Sequence, residues 1–141
     1  MSIKIYYDEI KFRLKEADNT KKFIEKVIRN EKLVPGDLNF IFTTDKGLRK
    51  INQEFLSKDS DTDVIAFNYN ICEEVIGEIY ISIERVRENS HNYNVSLRSE
   101  VLRVMIHGVL HLCGYNDKKK EEIEIMRKLE NKNLNEYFKK F

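Results

Sequence analysis

The sequence predicts an α+β fold, which is α/β in a looser scheme. We expect a single domain over residues 1–141, with a mixed sheet of about four strands packed against a buried central helix. Short runs rich in β-branched and aromatic residues alternate with stretches of helical periodicity, so strands and helices interleave. Connections of hairpin length and of helix length both occur, which favours a sheet with antiparallel and parallel pairs.

Length and composition are typical of one globular domain, with 141 residues of which 41% are hydrophobic and 35% charged. The formal net charge of +1 gives no argument for a nucleic-acid or membrane partner. No signal-peptide core or membrane-length apolar run is visible in the sequence, so we expect a cytoplasmic location. Cys72 and Cys113 form no close pair and are expected to be free thiols.

The first part of the chain predicts strands around one helix. Alternation of apolar and polar residues predicts a strand over residues 2–7 and a possible second strand over 10–14. Apolar residues at helical spacing predict an amphipathic helix over 20–33, closed by Pro35 and the glycine after it. The next apolar run predicts a strand over 38–44.

The middle of the chain predicts a helix, two strands and a further helix. Asp45 is expected to cap a helix that extends to Phe55. Residues 62–70 and 74–82 are β-branched and aromatic, which predicts two neighbouring strands. Ser82 is then expected to cap a short helix.

The dominant helix is predicted from Ser96 to Cys113, because its apolar residues cover most of the helical circumference. Such a helix must be central and buried. Residues 118–138 show a narrower apolar stripe between charges, which predicts a surface helix.

Two of the three histidines lie four residues apart in the dominant helix, within the stretch HGVLHLCGYND. Positions 107 and 111 differ by about 40° and one turn of an α-helix, so both imidazoles project from one face. Gly114 is placed to end the helix in a left-handed conformation, and the reversal can return Asp117 to the histidine face. His107, His111 and Asp117 are therefore candidate metal ligands.

Two imidazoles and one carboxylate suit zinc with a fourth position open, which is the arrangement of a catalytic site. The alternative is a hydrogen-bonded pair of core histidines, the usual role of histidine on an apolar face. The HExxH motif of metalloproteases is excluded because residue 108 is glycine.

At these residues the chain resembles the YbeY family of metal-dependent endoribonucleases, whose hallmark is HGxLHLxGYDH. INQEFLSKDSDTDVIAF and GEIYIS upstream are also similar to that family, so the likeness covers most of residues 45–117. The resemblance implies one zinc ion per chain on the long helix and endonucleolytic hydrolysis of single-stranded RNA. It further implies maturation of the small-subunit rRNA end and ribosome quality control, with rRNA and the small ribosomal subunit as partners.

The chain departs from the family pattern at three positions: Asp117 replaces the usual third histidine, Leu56 the usual arginine and Ala66 a strand serine. Aspartate can still bind zinc. Leucine cannot supply the cation that would pair with a phosphate oxygen, so another residue would have to do so.

Arg103 and Lys58 are candidates for that cation, because Arg103 lies one turn before His107 and Lys58 lies in the matching turn. Their alternative roles are a salt bridge behind the ligands and a solvated loop residue.

Asp59 and Asp63 are candidates for orienting water or ligands, or ordinary turn residues. Lys118, Lys119 and Lys120 could hold phosphates or be simply solvated.

Three functions remain open from the sequence. The first is a zinc-dependent endoribonuclease. The second is a ribosome-associated, rRNA-binding factor whose metal site is structural or weakly active. The third is a metal-dependent hydrolase of another substrate, because a metal site specifies chemistry better than it specifies the molecule that is cleaved.

Overall fold

A computed structural model describes residues 2–56 and 62–141 of the chain. Strands and helices interleave along it, as the sequence predicts. The elements are β1 (Ile3–Tyr7), α1 (Ala17–Asn30), β2 (Val34–Thr43), α2 (Asp45–Leu56), β3 (Val64–Asn68), β4 (Glu74–Ser82), α3 (Ile83–Asn92), α4 (Leu97–Leu112) and α5 (Lys120–Lys140).

The four strands form one mixed sheet in the order β1-β2-β4-β3. β1, β2 and β4 are parallel to one another, with Ile3 opposite Leu38 and Leu38 opposite Gly77. β3 pairs antiparallel with β4 at one edge. The predicted mixed sheet of about four strands, and the predicted pairing of residues 62–70 with 74–82, are therefore confirmed.

One face of the sheet carries the main core. Leu38, Phe40 and Phe42 alternate along β2 and are fully buried, and Ile79 and Ile81 of β4 are buried beside them. They pack with the apolar residues of α1, α3, α4 and α5 in one cluster. Burying each of these large side chains contributes about 1.5–3 kcal/mol, so this layer of helices is held firmly on the sheet.

Helix α2 packs near the β3 edge on the opposite face. Phe55 of α2 lies edge-on to Phe67 of β3 with ring centroids 5.8 Å apart, and Phe67 makes the same kind of contact with Tyr80. The alternation of side chains along a strand places Phe67 and Tyr80 on the face away from Ile79 and Ile81. The helices therefore divide unequally between the two faces of the sheet.

Helix α4 approaches the sheet very closely, with one glycine on the helix and another on the sheet at the contact. A Cβ atom added to Gly108 would lie 2.9 Å from Cγ2 of the buried Ile79. A Cβ added to Gly77 of β4 would collide with the carbonyl oxygen of Phe67 and would lie 3.0 Å from Cδ1 of Leu112. The glycine between the two histidines thus has a packing role, and it sets the position of both histidines above the sheet.

The end of α4 is fixed by a Schellman motif. The Gly114 N–H donates to the His111 carbonyl and the Tyr115 N–H donates to the Leu110 carbonyl, each at 3.0 Å. Gly114 has a φ of 108°, a conformation that glycine adopts without strain. The predicted left-handed cap is confirmed, and it sends residues 115–117 back towards the helix.

The ends of the other predicted elements differ in places from the expectation. Residues 10–14 form no strand: alternate residues still pack on the core, but the Leu14 N–H donates to the Tyr7 hydroxyl and not to a neighbouring strand. The alternation of apolar and polar residues over 10–14 therefore reflects burial of every second side chain and not pairing with another strand.

Pro35 was expected to close the first helix and instead lies in β2, while α1 already ends at Asn30. The Val34 N–H donates to Glu73 on the β4 side, so the nitrogen of Pro35 faces the β1 side of the strand. β1 pairs with β2 only from Leu38 onwards, so the missing N–H removes no ladder hydrogen bond.

Of the two predicted N-terminal helix caps, Ser82 is confirmed and Asp45 is not. Ser82 accepts a hydrogen bond from the Arg85 N–H at 3.1 Å, and Ser96 accepts one from Ser99 at 3.0 Å. The cap of α2 is Thr44 and not Asp45, since the Thr44 hydroxyl accepts from the Gly47 N–H. Across residues 2–56 and 62–141, every helix is too short or too polar to cross a membrane.

We predict that Gly108→Val destabilises the fold by about 1–3 kcal/mol, the usual range for overpacking a core. The added side chain would press on Ile79, which is buried and cannot move aside. Urea denaturation of the variant and the wild type measures the change. Lys128→Val on the exposed face of α5 is the matched control, since it adds valine to a helix without a clash. Equal losses in the two variants would contradict the close-packing role of Gly108.

Candidate metal centre

The three predicted ligands come together at the end of α4. Nε2 of His107 lies 3.0 Å from Nε2 of His111, and Oδ2 of Asp117 lies 3.2 Å from the first nitrogen and 3.3 Å from the second. All three side chains are half-buried. They are the one group of three or more histidine, cysteine or acidic side chains with metal-binding spacing found in residues 2–56 and 62–141.

The spacing of these donor atoms fits a tetrahedral ion. Zinc holds imidazole nitrogens and carboxylate oxygens at about 2.0–2.2 Å, so two ligands of a tetrahedron lie about 3.3–3.6 Å apart. The three separations of 3.0, 3.2 and 3.3 Å lie at or slightly below the lower end of that range. The donor set could therefore hold one ion with a fourth position open to solvent or substrate.

Both imidazoles are oriented by contacts through their other nitrogen. Nδ1 of His107 lies 2.6 Å from Oε2 of Glu130 in α5, and Nδ1 of His111 lies 2.9 Å from the carbonyl oxygen of Tyr115. The second contact exists because the Gly114 turn brings Tyr115 back under the helix. A histidine whose Nδ1–H is donated in this way presents Nε2 as the free ligand atom, which is the arrangement of histidines that bind metal.

The electrostatics of His107 and Glu130 favour a charged contact between them in the absence of metal. Burial opposes protonation of His107, but the hydrogen bond to Glu130 and the charges of Glu130, Asp117 and Asp63 together raise its pKa. Burial would raise the pKa of Glu130, but the hydrogen bonds from His107 and Arg103 lower it. Glu130 is therefore a stable anion behind the first ligand.

Arg103 belongs to the same network. Its Nη1 donates to Oε1 of Glu130 at 2.9 Å, and its Nη2 donates to Oδ1 of Asn131 at 2.7 Å. Two roles were predicted for Arg103, and the structure shows one of them, the salt bridge behind the candidate ligands. A contact between Arg103 and phosphate remains a prediction.

A cleft of about 570 Å³ extends from His107 and Asp117 along α4, with α5 on its other side. Asp63 lines this cleft, and burial raises its pKa. Glu100 also lines it, and burial raises the pKa of that carboxyl too. The metal-binding end thus opens into a space lined by apolar and acidic side chains together with Arg103 and Arg127.

Other predicted residues lie away from the ligands or outside the described ranges. Lys58 and Asp59 fall in residues 57–61, which lie outside the described part of the chain. Lys118, Lys119 and Lys120 are exposed, as is the third histidine, His91.

Cys113 packs against the core, and burial raises the pKa of its thiol to about 12. Cys113 and Cys72 are both free cysteines.

Sequence reasoning missed two acidic residues of the site. Glu130 is one of many glutamates on a charged surface helix, and nothing in its local pattern distinguishes it. Glu100 had a signal that could have been used: Glu100, Arg103 and His107 recur at helical spacing along a helix that is otherwise apolar.

Fold and site together define a class of metal-binding α+β proteins with two histidines and one carboxylate around an open coordination position. Residues 3–138 match the family described as Endoribonuclease YbeY, and the chain belongs to that family.

Among its relatives is a protein named Endoribonuclease YbeY from Flavobacterium psychrophilum, 45% identical over 126 residues, which cover 89% of this chain and 90% of the relative. A protein of the same name from Amoebophilus asiaticus is 46% identical over 129 residues, covering 89% and 88% of the two chains. A Thermotoga maritima protein solved in solution has a similar fold, with a TM-score of 0.68, 30% identity and coverage of 99% of this chain and 93% of its own.

We predict that Glu130→Gln weakens metal binding about 10- to 100-fold, the usual effect of removing the partner of a metal-binding histidine. Glutamine keeps the size of the side chain but loses the anion that orients His107. Competition with a chromogenic chelator measures the affinity. Glu124→Gln, an exposed position on the same helix, is the control. Equal affinities in the two variants would show that Glu130 does not orient the ligand.

We also predict that, without metal, the contribution of His107 to stability falls as pH rises. The pKa of His107 is raised in the folded state, so its favourable protonation is fully present below its unfolded value of about 6.5 and is lost as pH rises through the folded value. Urea denaturation of metal-free wild type and His107→Gln from pH 6 to pH 9 measures this. The advantage of the wild type should shrink with pH, and a constant difference would contradict the prediction.

Proposed function

We propose that this member of the YbeY family is a zinc-dependent endoribonuclease that cleaves single-stranded RNA and acts in maturation of the small-subunit rRNA end. The family is one of endoribonucleases, hydrolases of RNA phosphodiester bonds that serve rRNA maturation. Within that family, we assign zinc as the metal, His107, His111 and Asp117 as its ligands and single-stranded RNA as the substrate.

One observation carries the choice of metal. His107, His111 and Asp117 supply two nitrogens and one oxygen at separations close to the edge lengths of a tetrahedron, with both Nδ1 atoms engaged elsewhere. Mixed imidazole and carboxylate ligands with one open position are typical of catalytic zinc, whereas structural zinc sites are closed by four protein ligands. Zinc in this position would supply Lewis acidity towards a phosphate oxygen and would lower the pKa of water.

The surrounding residues would organise that chemistry. Glu130 holds the imidazole of His107, and the carbonyl of Tyr115 holds that of His111, so little reorganisation is needed when substrate binds. Asp63 lies in the cleft beside His107 and Asp117, where its carboxylate could orient a water molecule. Arg103 would help to hold Glu130 in place behind His107, and Lys58 and Asp59 remain candidates from the family pattern.

The partners we propose are rRNA and the small ribosomal subunit, in the cytoplasm, with a role in ribosome quality control. The support is membership of the family together with the open cleft next to the ligands. A single strand suits that cleft, because bases that are already unpaired can turn towards a protein pocket.

We predict that Asp117→Ala loses both zinc and RNA cleavage. The variant removes the one anionic ligand, so two neutral imidazoles remain and zinc per chain should fall well below the value of about one expected for the wild type. Elemental analysis of protein purified without a metal-binding tag measures zinc. Cleavage of an rRNA precursor fragment that carries the mature small-subunit end measures activity.

Asp18→Ala on the exposed start of α1 is the matched control and should keep zinc and activity. Zinc without cleavage in the wild type, together with rRNA binding, would favour the ribosome-associated binding factor. Zinc with activity on a small ester or nucleotide but not on RNA would favour a hydrolase of another substrate. Absence of zinc from the wild type would return the two histidines to the role of hydrogen-bonded core residues.

A further inference from the structure

Glu100 is buried and has no hydrogen-bonding partner within residues 2–56 and 62–141. Only 4% of its surface is exposed, and none of the described residues donates a hydrogen bond to its carboxylate. The carboxylate oxygens are nevertheless not sealed from solvent, and the residue lines the cleft that leads to the metal ligands. A buried carboxylate normally has donors around it, so the position of Glu100 indicates that its partner comes from a ligand in the cleft.

Apolar side chains form much of the cleft lining, beside the polar Asn89, Arg103 and Arg127. Val104 and Met126 are buried beneath the cleft, while Tyr93 and Val95 are exposed residues on its lining. A flat aromatic ligand would find apolar faces here and one charged acceptor at the edge. Nucleobases combine these properties, because their faces stack on apolar and aromatic side chains while their edges carry hydrogen-bond donors.

Glu100 lies on the same helix as His107, at a distance that one nucleotide could span. Glu100 and His107 are seven residues apart on α4, which is about 10 Å along the helix axis. This separation is comparable to the reach of one nucleotide from its phosphate to the far edge of its base. A phosphate at the metal ligands would therefore place a neighbouring base in the part of the cleft that contains Glu100.

Charge opposes the reverse arrangement, in which a phosphate would bind near Glu100 and a base near the metal ligands. Glu100 would repel a phosphate at its end of the cleft, whereas a metal ion at His107 and Asp117 would attract one. Arg103 and Arg127 also line the cleft, but both are paired with Glu130. A second metal ion is disfavoured because, among the described residues, no other set of three donor side chains has metal-binding spacing.

We propose that the cleft around Glu100 is a nucleobase subsite that selects guanine at a position next to the cleaved bond. This inference rests on the proposed endoribonuclease function. Guanine presents two adjacent donors, N1–H and the amino group, which match the two oxygens of a carboxylate. Uracil presents one N–H between two carbonyl oxygens, and those oxygens would face the carboxylate unfavourably.

The test uses a random-sequence pool of single-stranded RNA, cleaved to a small extent by the full-length zinc-loaded protein and sequenced at the new ends. The wild type should favour guanine over uracil by roughly tenfold at one flanking position, as expected for a bidentate base contact. Glu100→Gln should lose most of that preference, because its amide offers a donor where guanine needs an acceptor. Glu121→Gln, on the exposed start of α5, is the control and should keep the preference.

A binding measurement separates this subsite from the proposed function. Calorimetry with guanosine and uridine 5′-monophosphates should show tighter binding of the guanosine nucleotide by the wild type, whether or not the protein cleaves RNA. Equal affinities would overturn the subsite however any variant folds. Cleavage without a base preference, or with the same preference in Glu100→Gln, would also overturn it while leaving the endoribonuclease function standing. Magnesium binding that depends on Glu100 would reassign the cleft to a cation.

Discussion

The close approach of α4 to the sheet is the constraint on which the site depends. Gly108 and Gly77 remove the side chains that would hold the helix away, and Ile79 fills the space. Because Gly108 faces the sheet, the position before it and the position three residues after it lie together on one side of the helix, away from the sheet. The packing that buries the helix is therefore also what aims His107 and His111, and a shift of the helix would move both donors together.

A helix so deeply buried carries an unusual polar stripe. Glu100, Arg103, His107 and His111 lie along one side of α4, and each would be costly to bury alone. α5 offsets much of this cost, since Glu130 contacts both Arg103 and His107. The last helix of the chain is thus more than a cover for the core, because it supplies the anion that makes the stripe stable and orients the first ligand.

The fold class, the mixed sheet and the long helix could be predicted because they depend on local periodicity and composition. The convergence of the three candidate ligands could also be predicted, because His107 and His111 share a helical face and Gly114 reverses the chain towards Asp117. The prediction that Pro35 closes the first helix was wrong. Pro35 fits in β2 because β1 pairs with β2 only from Leu38 onwards, and the sequence of the segment around Pro35 does not show this. Glu130 could not be found from its own segment, because its role depends on how α5 lies across α4. Lys58 and Asp59 lie outside the described residues, so their roles stay predictions.

All three donor side chains belong to one stretch of eleven residues, from His107 to Asp117. An unfolded chain keeps these groups within a short loop, so closing that loop around an ion costs little entropy. The denatured state therefore retains some affinity for the metal, and binding stabilises the native fold by less than the native affinity alone would give. A newly made chain could also capture its ion soon after this segment is synthesised, before α5 is available to dock.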